Sequence, residues 1–143
     1  MSNNKTIDKP DFIVLSLTFN SINFIKKLDT SNMGEIIKLN RMNPVIEAER
    51  PYYLVFGSYE LEGTLYNKIV DFLNHSNNLD LCLGIIGSGN RNIGPEYLIT
   101  PKRICREFNL DMIFSFEAAG LSKDVEYMNN YLNDKYGKNE ENL

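Results

Sequence analysis

The sequence is poor in the residues that build metal and redox centres. Its 143 residues hold one histidine, His75, and two cysteines, Cys82 and Cys105. A zinc site needs about four closely spaced Cys, His or carboxylate ligands, and no Cys/His cluster of that kind occurs, so no metal is expected. Cys82 falls in a strand-like apolar run and Cys105 in a helical one, with no Cys-x-x-Cys pair. Both therefore read as buried free thiols rather than redox groups. No apolar stretch approaches the roughly 18–20 residues that span a bilayer, and the opening MSNNKTIDKP has no apolar signal-peptide core. The expectation is a cytoplasmic protein that engages no membrane. Fifteen Lys and Arg against nineteen Asp and Glu give a net charge of −4, without the basic excess that nucleic acid demands, so no nucleic-acid partner is expected. The Gly-Lys-Ser/Thr of a Walker loop is absent too.

What is present is an ordinary globular composition, 43% hydrophobic and 24% charged. A chain of this length buries roughly two thirds of its unfolded surface, and one domain over residues 1–143 is expected, with 1–10 and 137–143 as flexible tails. Four apolar runs have strand length: residues 12–15, 52–56, 81–86 and 112–114. They are continuous rather than alternating, as strands buried on both faces of a parallel sheet are. A mixed run, residues 35–39, reads as an edge strand. Between them lie helical periodicities: Ile22, Ile25 and Leu28; Leu65, Ile69, Phe72 and Leu73; Ile104 and Phe108 after Thr100-Pro101; and Val125, Met128 and Leu132 behind Asp124. The order β-α-β-β-α-β-α-β-α implies a doubly wound α/β sheet. Right-handed crossovers leave few arrangements, of which strand order 2-1-3-4-5 is one.

In such a sheet a ligand sits beyond the carboxyl ends of the strands, where the strand order reverses. Three polar segments would meet there. The first is Ser16-Leu17-Thr18-Phe19-Asn20-Ser21, whose hydroxyls and amides at a helix start suit a phosphate. The second is Gly57-Ser58-Tyr59-Glu60-Leu61-Glu62-Gly63-Thr64. The third is Gly87-Ser88-Gly89-Asn90-Arg91-Asn92-Ile93-Gly94. Each alone is more often a cap or a turn than a site; together on one edge they make a bound mononucleotide as good a reading as plain turns. A phosphoacceptor receiver domain shares the architecture but needs carboxylates after strands one and three and a lysine after strand five. Ser16, Gly57 and the segment Ser115-Phe116-Glu117 stand there instead.

Four strings in order make the pattern specific: Ser16-x-Thr18-x-Asn20, Ile69-Val70-Asp71-Phe72-Leu73, Gly87-Ser88-Gly89-Asn90-Arg91-Asn92-x-Gly94, and Phe116-Glu117-x-x-Gly120. Over about residues 12–132 the sequence resembles the NrdI family, flavodoxin-like FMN proteins that serve class Ib ribonucleotide reductases. The resemblance implies a flavodoxin-like five-stranded parallel sheet, order 2-1-3-4-5, with helices on both faces. It implies a protein that holds FMN, reduces dioxygen and supplies a superoxide-type oxidant to the radical-bearing small subunit of the reductase. A flavodoxin-type reductase or other donor would supply its electrons. The flavin would carry the chemistry, with no catalytic side chain of the protein. Ser16, Leu17, Thr18, Phe19, Asn20 and Ser21 would cradle the phosphate. Ser58, Tyr59, Glu60, Leu61, Glu62 and Gly63 would flank one side of the ring, with Tyr59 stacking. Ser88, Gly89, Asn90, Arg91, Asn92 and Gly94 would line the other, with Tyr97 in reach of the ring edge or packed at the rim.

The sequence departs from the family in three places. The second loop, usually rich in glycine, reads Tyr59-Glu60-Leu61-Glu62-Gly63, so a peptide flip on reduction is either lost or relocated. Phe19 replaces a common glycine, and Ile93 a common aromatic. A carboxylate roughly 5 Å from a reduced, anionic flavin opposes its charge by about 3 kcal/mol at an effective dielectric of about 20, less once screened. Glu60 and Glu62 would then make the flavin more reducing, or they are simply solvated. Arg91 either faces the site or a partner, or pairs with nearby acids; Glu117 reads first as structural. Lys102, Arg103 and Arg106 read as a solvated helix face. A general flavodoxin electron carrier and a flavin-free docking protein on the same fold stay open as alternatives.

Overall fold

The computed structural model describes residues 9–15, 20–39, 45–57, 64–89 and 98–137. The apolar runs pair, all in parallel, into a five-stranded sheet of order β2-β1-β3-β4-β5. Its strands are β1 (Asp11–Leu15), β2 (Ile36–Lys38), β3 (Tyr52–Gly57), β4 (Cys82–Gly89) and β5 (Met112–Glu117). Every residue of β1 and all but the last of β3 are buried, which is why these runs carry no alternating polar residue. β2, with the mixed composition, lies at one edge and stays partly exposed.

The helices are α1 (Asn20–Lys26), α2 (Thr64–Leu73), a four-residue α3 (Asn78–Leu81), α4 (Ile99–Phe108) and α5 (Ser122–Tyr136). Successive strand residues point to opposite faces, and the faces bury different helices. Phe12, Val14, Tyr53, Val55, Ile86 and Phe116 pack with Ile22, Phe24 and Ile25 of α1 and Met128 and Leu132 of α5. Ile13, Leu15, Leu54, Phe56 and Ile85 pack with Leu65, Ile69 and Phe72 of α2 and Ile104 of α4. The flavodoxin-like architecture expected from the sequence is thus the one observed. Among the described residues no helix is long and apolar enough to cross a membrane.

Several local expectations need correcting. Gly87, Ser88 and Gly89, read as loop, are strand residues: β4 continues through them, paired to Phe56 and Gly57 on one side and to Ser115, Phe116 and Glu117 on the other. A Cβ on Gly87 would come within 3.0 Å of Pro101 and 3.1 Å of Met112 Sδ, so glycine here lets α4 press onto the strand rather than opening a turn. For the same reason Ser115-Phe116-Glu117 belongs to β5 and not to the segment after it. Thr100 does not cap α4 but lies buried inside its first turn, behind a left-handed Leu98 with φ 60°. Short α3 was not foreseen. Its Asn78 is fully buried; its Oδ1 accepts the Ala48 N–H, and its Nδ2 donates to the carbonyls of Ile46 and Phe72, each at 2.8 Å. Both cysteines are half-buried rather than fully buried. Desolvation, with smaller contributions from Cys82 and Asp111, pushes the Cys105 thiol up to about 11, and desolvation also raises Cys82. Neither thiol is activated as a nucleophile.

Candidate functional site

Because all strands are parallel, their carboxyl ends share one edge, and the order reverses between β1 and β3. The chain leaves β1 at Leu15 and re-enters the described residues at Asn20; it leaves β3 at Gly57 and returns at Thr64; it leaves β4 at Gly89 and returns at Leu98. The connections expected to bind a ligand therefore start from this edge. Most of their residues lie outside the described ones: Ser16, Leu17, Thr18 and Phe19; Ser58, Tyr59, Glu60, Leu61, Glu62 and Gly63; and Asn90, Arg91, Asn92, Gly94 and Tyr97. Asn20, Ser21, Ser88 and Gly89 are described: the first two open α1, which follows β1, and the last two end β4, the neighbour of β3.

Two of these four meet directly. Ser21, in the first turn of α1, is 2% exposed, and Ser88, near the end of β4, is 7% exposed. Their hydroxyl oxygens lie 3.1 Å apart. Ser88 shares the strand face of Ile86 and so points toward α1. Gly57 of β3 sits beside Ser88 in register, and a Cβ on it would fall 2.8 Å from the Ser88 hydroxyl. The glycine keeps the space into which that hydroxyl projects. Gly89 pairs with Glu117, and its carbonyl accepts the Ala118 N–H at 3.3 Å.

The string Phe116-Glu117-x-x-Gly120 proves to be mainly a packing device. Phe116 stacks on Phe24 with ring centroids 4.0 Å apart. Gly120 turns the chain with φ +83°, and a Cβ there would lie 2.5 Å from the Phe24 ring. Between them Glu117 ends β5, exposed at the same edge as the site. Likewise Ile69, Phe72 and Leu73 of the α2 string are core residues.

The exposed Lys102, Arg103 and Arg106 form a solvated helix face, as expected. One of them does more: the Arg103 guanidinium lies 3.7 Å over the Tyr66 ring and 3.1 Å from Glu107. The Tyr66 hydroxyl also donates to Glu107, which raises the phenol pKa and lowers that of the carboxylate. This cluster ties the start of α2 to α4, the helices that follow the second and third connections. Only its Arg103–Glu107 i,i+4 spacing was legible in the sequence. Nothing local pointed to the pairing of Ser21 with Ser88.

The described edge combines small and polar groups. It offers buried hydroxyls, the side-chain-free backbone of Gly57 and Gly89, and Leu15 and Gly57 rather than carboxylates at the ends of β1 and β3. Among the described residues no three His, Cys, Asp or Glu side chains come together.

Comparison with known proteins narrows the reading further. A family model described as NrdI flavodoxin-like matches residues 12–130. The chain is 29% identical over 128 residues to Protein NrdI of Mycoplasma pneumoniae, covering 86% of this chain and 82% of that protein. It is 30% identical over 137 residues to Protein NrdI of Mycoplasmopsis pulmonis, covering 89% of each. Against Protein NrdI of Bartonella tribocorum the identity is 32% over 113 residues, 77% of this chain and 83% of the relative. With the strand order and both helical layers in agreement, the chain belongs to the NrdI flavodoxin-like family.

Proposed function

We propose that this protein binds FMN, reduces dioxygen and supplies a superoxide-type oxidant that activates the radical cofactor in the small subunit of a class Ib ribonucleotide reductase. It would act in the cytoplasm and draw electrons from a flavodoxin-type reductase or a similar donor. The observation that carries the reading is the cluster of Ser21, Gly57 and Ser88 at the reversal point of the sheet, in a chain matched to the family from residue 12 to residue 130. Bound FMN would supply one-electron chemistry toward dioxygen; the protein's own residues bind, orient and restrict access. Ser16 through Ser21 would hold the phosphate. Residues 58–63 and 88–94, with Tyr97 at the rim, would flank the ring.

The absorbance spectrum of the purified protein is the first test: a flavin spectrum, present as isolated or after reconstitution with FMN, is expected. A colourless protein that FMN cannot reconstitute would refute the reading and favour a docking protein. Anaerobic reduction followed by oxygen, with and without the cognate small subunit, then separates activator from electron carrier. The activator gains support if the subunit's radical rises, and fails if it does not.

A further inference from the structure

The last helix carries a pattern that binding a flavin does not use. Along α5, Lys123 and Lys135, Asp124 and Asp134, and Tyr127 and Tyr131 each stand equidistant from Asn129. Tyr127 is 53% exposed and stacks on Phe114 of β5 with ring centroids 4.8 Å apart. β5 is an edge strand, and no charged residue lies between Asp111 and Glu117. Its half-buried Phe114 therefore continues the aromatic stripe of α5 onto the open side of the sheet. Among the described residues neither Lys123 nor Asp134 has an ion-pair partner within the chain. We infer that this flank of α5, backed by the β5 edge, is the interface of a two-fold dimer, in which the α5 helices of two copies pack antiparallel through Tyr127 and Tyr131.

Charge complementarity identifies the occupant as a second copy. Residues eleven apart on a helix are about three turns apart and share a flank. Asp124 and Lys135 thus border the tyrosine stripe on one side, and Lys123 and Asp134 border it on the other. A two-fold axis at the level of Asn129 lays each flank of one helix along the same flank of its copy, reversed in direction. Tyr127 then meets Tyr131 of the second copy, Asp124 meets Lys135, and Lys123 meets Asp134, each contact made twice. The mirrored order of like residues becomes a set of opposite charges in contact. The tyrosines supply contact area, and the exposed charges fix register more than affinity. The register of β5 on β4 shifts between Ile85 and Ile86, leaving Ile113 without a partner and bending the edge. The copies therefore pack through side chains and do not continue the ladder of the sheet. A single helix flank is small for a specific interface, so the dimer is weak. Antiparallel packing sends the carboxyl edges of the two sheets in opposite directions, so each stays open, and the inference does not depend on the flavin reading.

Sedimentation velocity of the full chain, from micromolar concentrations up to about 1 mM, reads the dimer directly. The wild type should pass from monomer to dimer across that range. Tyr127→Ala should weaken the dimer by about tenfold or more, as loss of a central aromatic contact does. Lys123→Asp and Asp134→Lys should each weaken it by about fivefold, because each places like charges together at two contacts. Mixing these two variants restores both contacts, so the mixed dimer should form at least as well as the wild type. That rescue needs only exposed residues and stands whether or not Tyr127→Ala folds, which circular dichroism checks. A wild type that stays monomeric at about 1 mM would overturn the inference. So would a dimer indifferent to folded Tyr127→Ala, or charge variants that associate no better mixed than alone, since either places the contact on another face.

Discussion

Asn78 offers the sharpest test of how this fold is held. It is fully buried and bonds three backbone groups: it accepts from Ala48 N–H and donates to the carbonyls of Ile46 and Phe72. Its own carbonyl accepts the Tyr52 hydroxyl at 2.6 Å. In Asn78→Ala the Phe72 carbonyl keeps the His75 N–H at 3.2 Å, but the Ala48 N–H and the Ile46 carbonyl lose the bonds Asn78 made. One buried and one part-buried group left unsatisfied at about 1–3 kcal/mol each, plus a small cavity, give a loss of about 3–5 kcal/mol. For a chain of this size that lowers Tm by about 10–20 °C. Asn78→Asp, nearly isosteric, should be worse at neutral pH, because a carboxylate would face two carbonyl oxygens in a dry site. Burial and those oxygens would raise its folded pKa above the unfolded value of about 3.9. The folded state would then bind the extra proton, so the variant's stability is greatest below the unfolded pKa and falls as pH rises through the folded one. Urea unfolding of both variants at pH 5 and pH 8 checks this. A loss under about 1 kcal/mol for Asn78→Ala, or equal stability of Asn78→Asp at the two pH values, would refute the reasoning.

Two further outcomes follow from other sites. Gly120→Ala places a Cβ 2.5 Å from the Phe24 ring in a backbone of φ +83°, and should cost about 2–4 kcal/mol by thermal or urea unfolding. Pairing it with Phe24→Leu should recover part of that loss, and a purely additive double variant would show that Phe24 is not the obstacle. Replacing Glu60 and Glu62 by Gln should raise the reduction potential of bound FMN, measured by equilibration with redox dyes, since it removes negative charge expected near the ring; an unchanged or lower potential would leave the two glutamates as solvated loop residues.

The sequence by itself determined the order of elements, the doubly wound class and the family. Continuous apolar runs such as Tyr52–Phe56 read as strands covered on both sides, and the spacing of Leu65, Ile69 and Phe72 reads as one buried helix face. These are local signals that survive without knowledge of partners. Tertiary structure alone decided where β4 ends, because Gly87, Ser88 and Gly89 have weak intrinsic strand preference and are held by ladders to β3 and β5. It also decided that Ser21 meets Ser88 across 67 positions, that Asn78 anchors the approach to β3, and that Gly120 makes room for Phe24. Each depends on register and on which face of the sheet a residue occupies. Those are set by the packing of distant segments, and no local pattern encodes them.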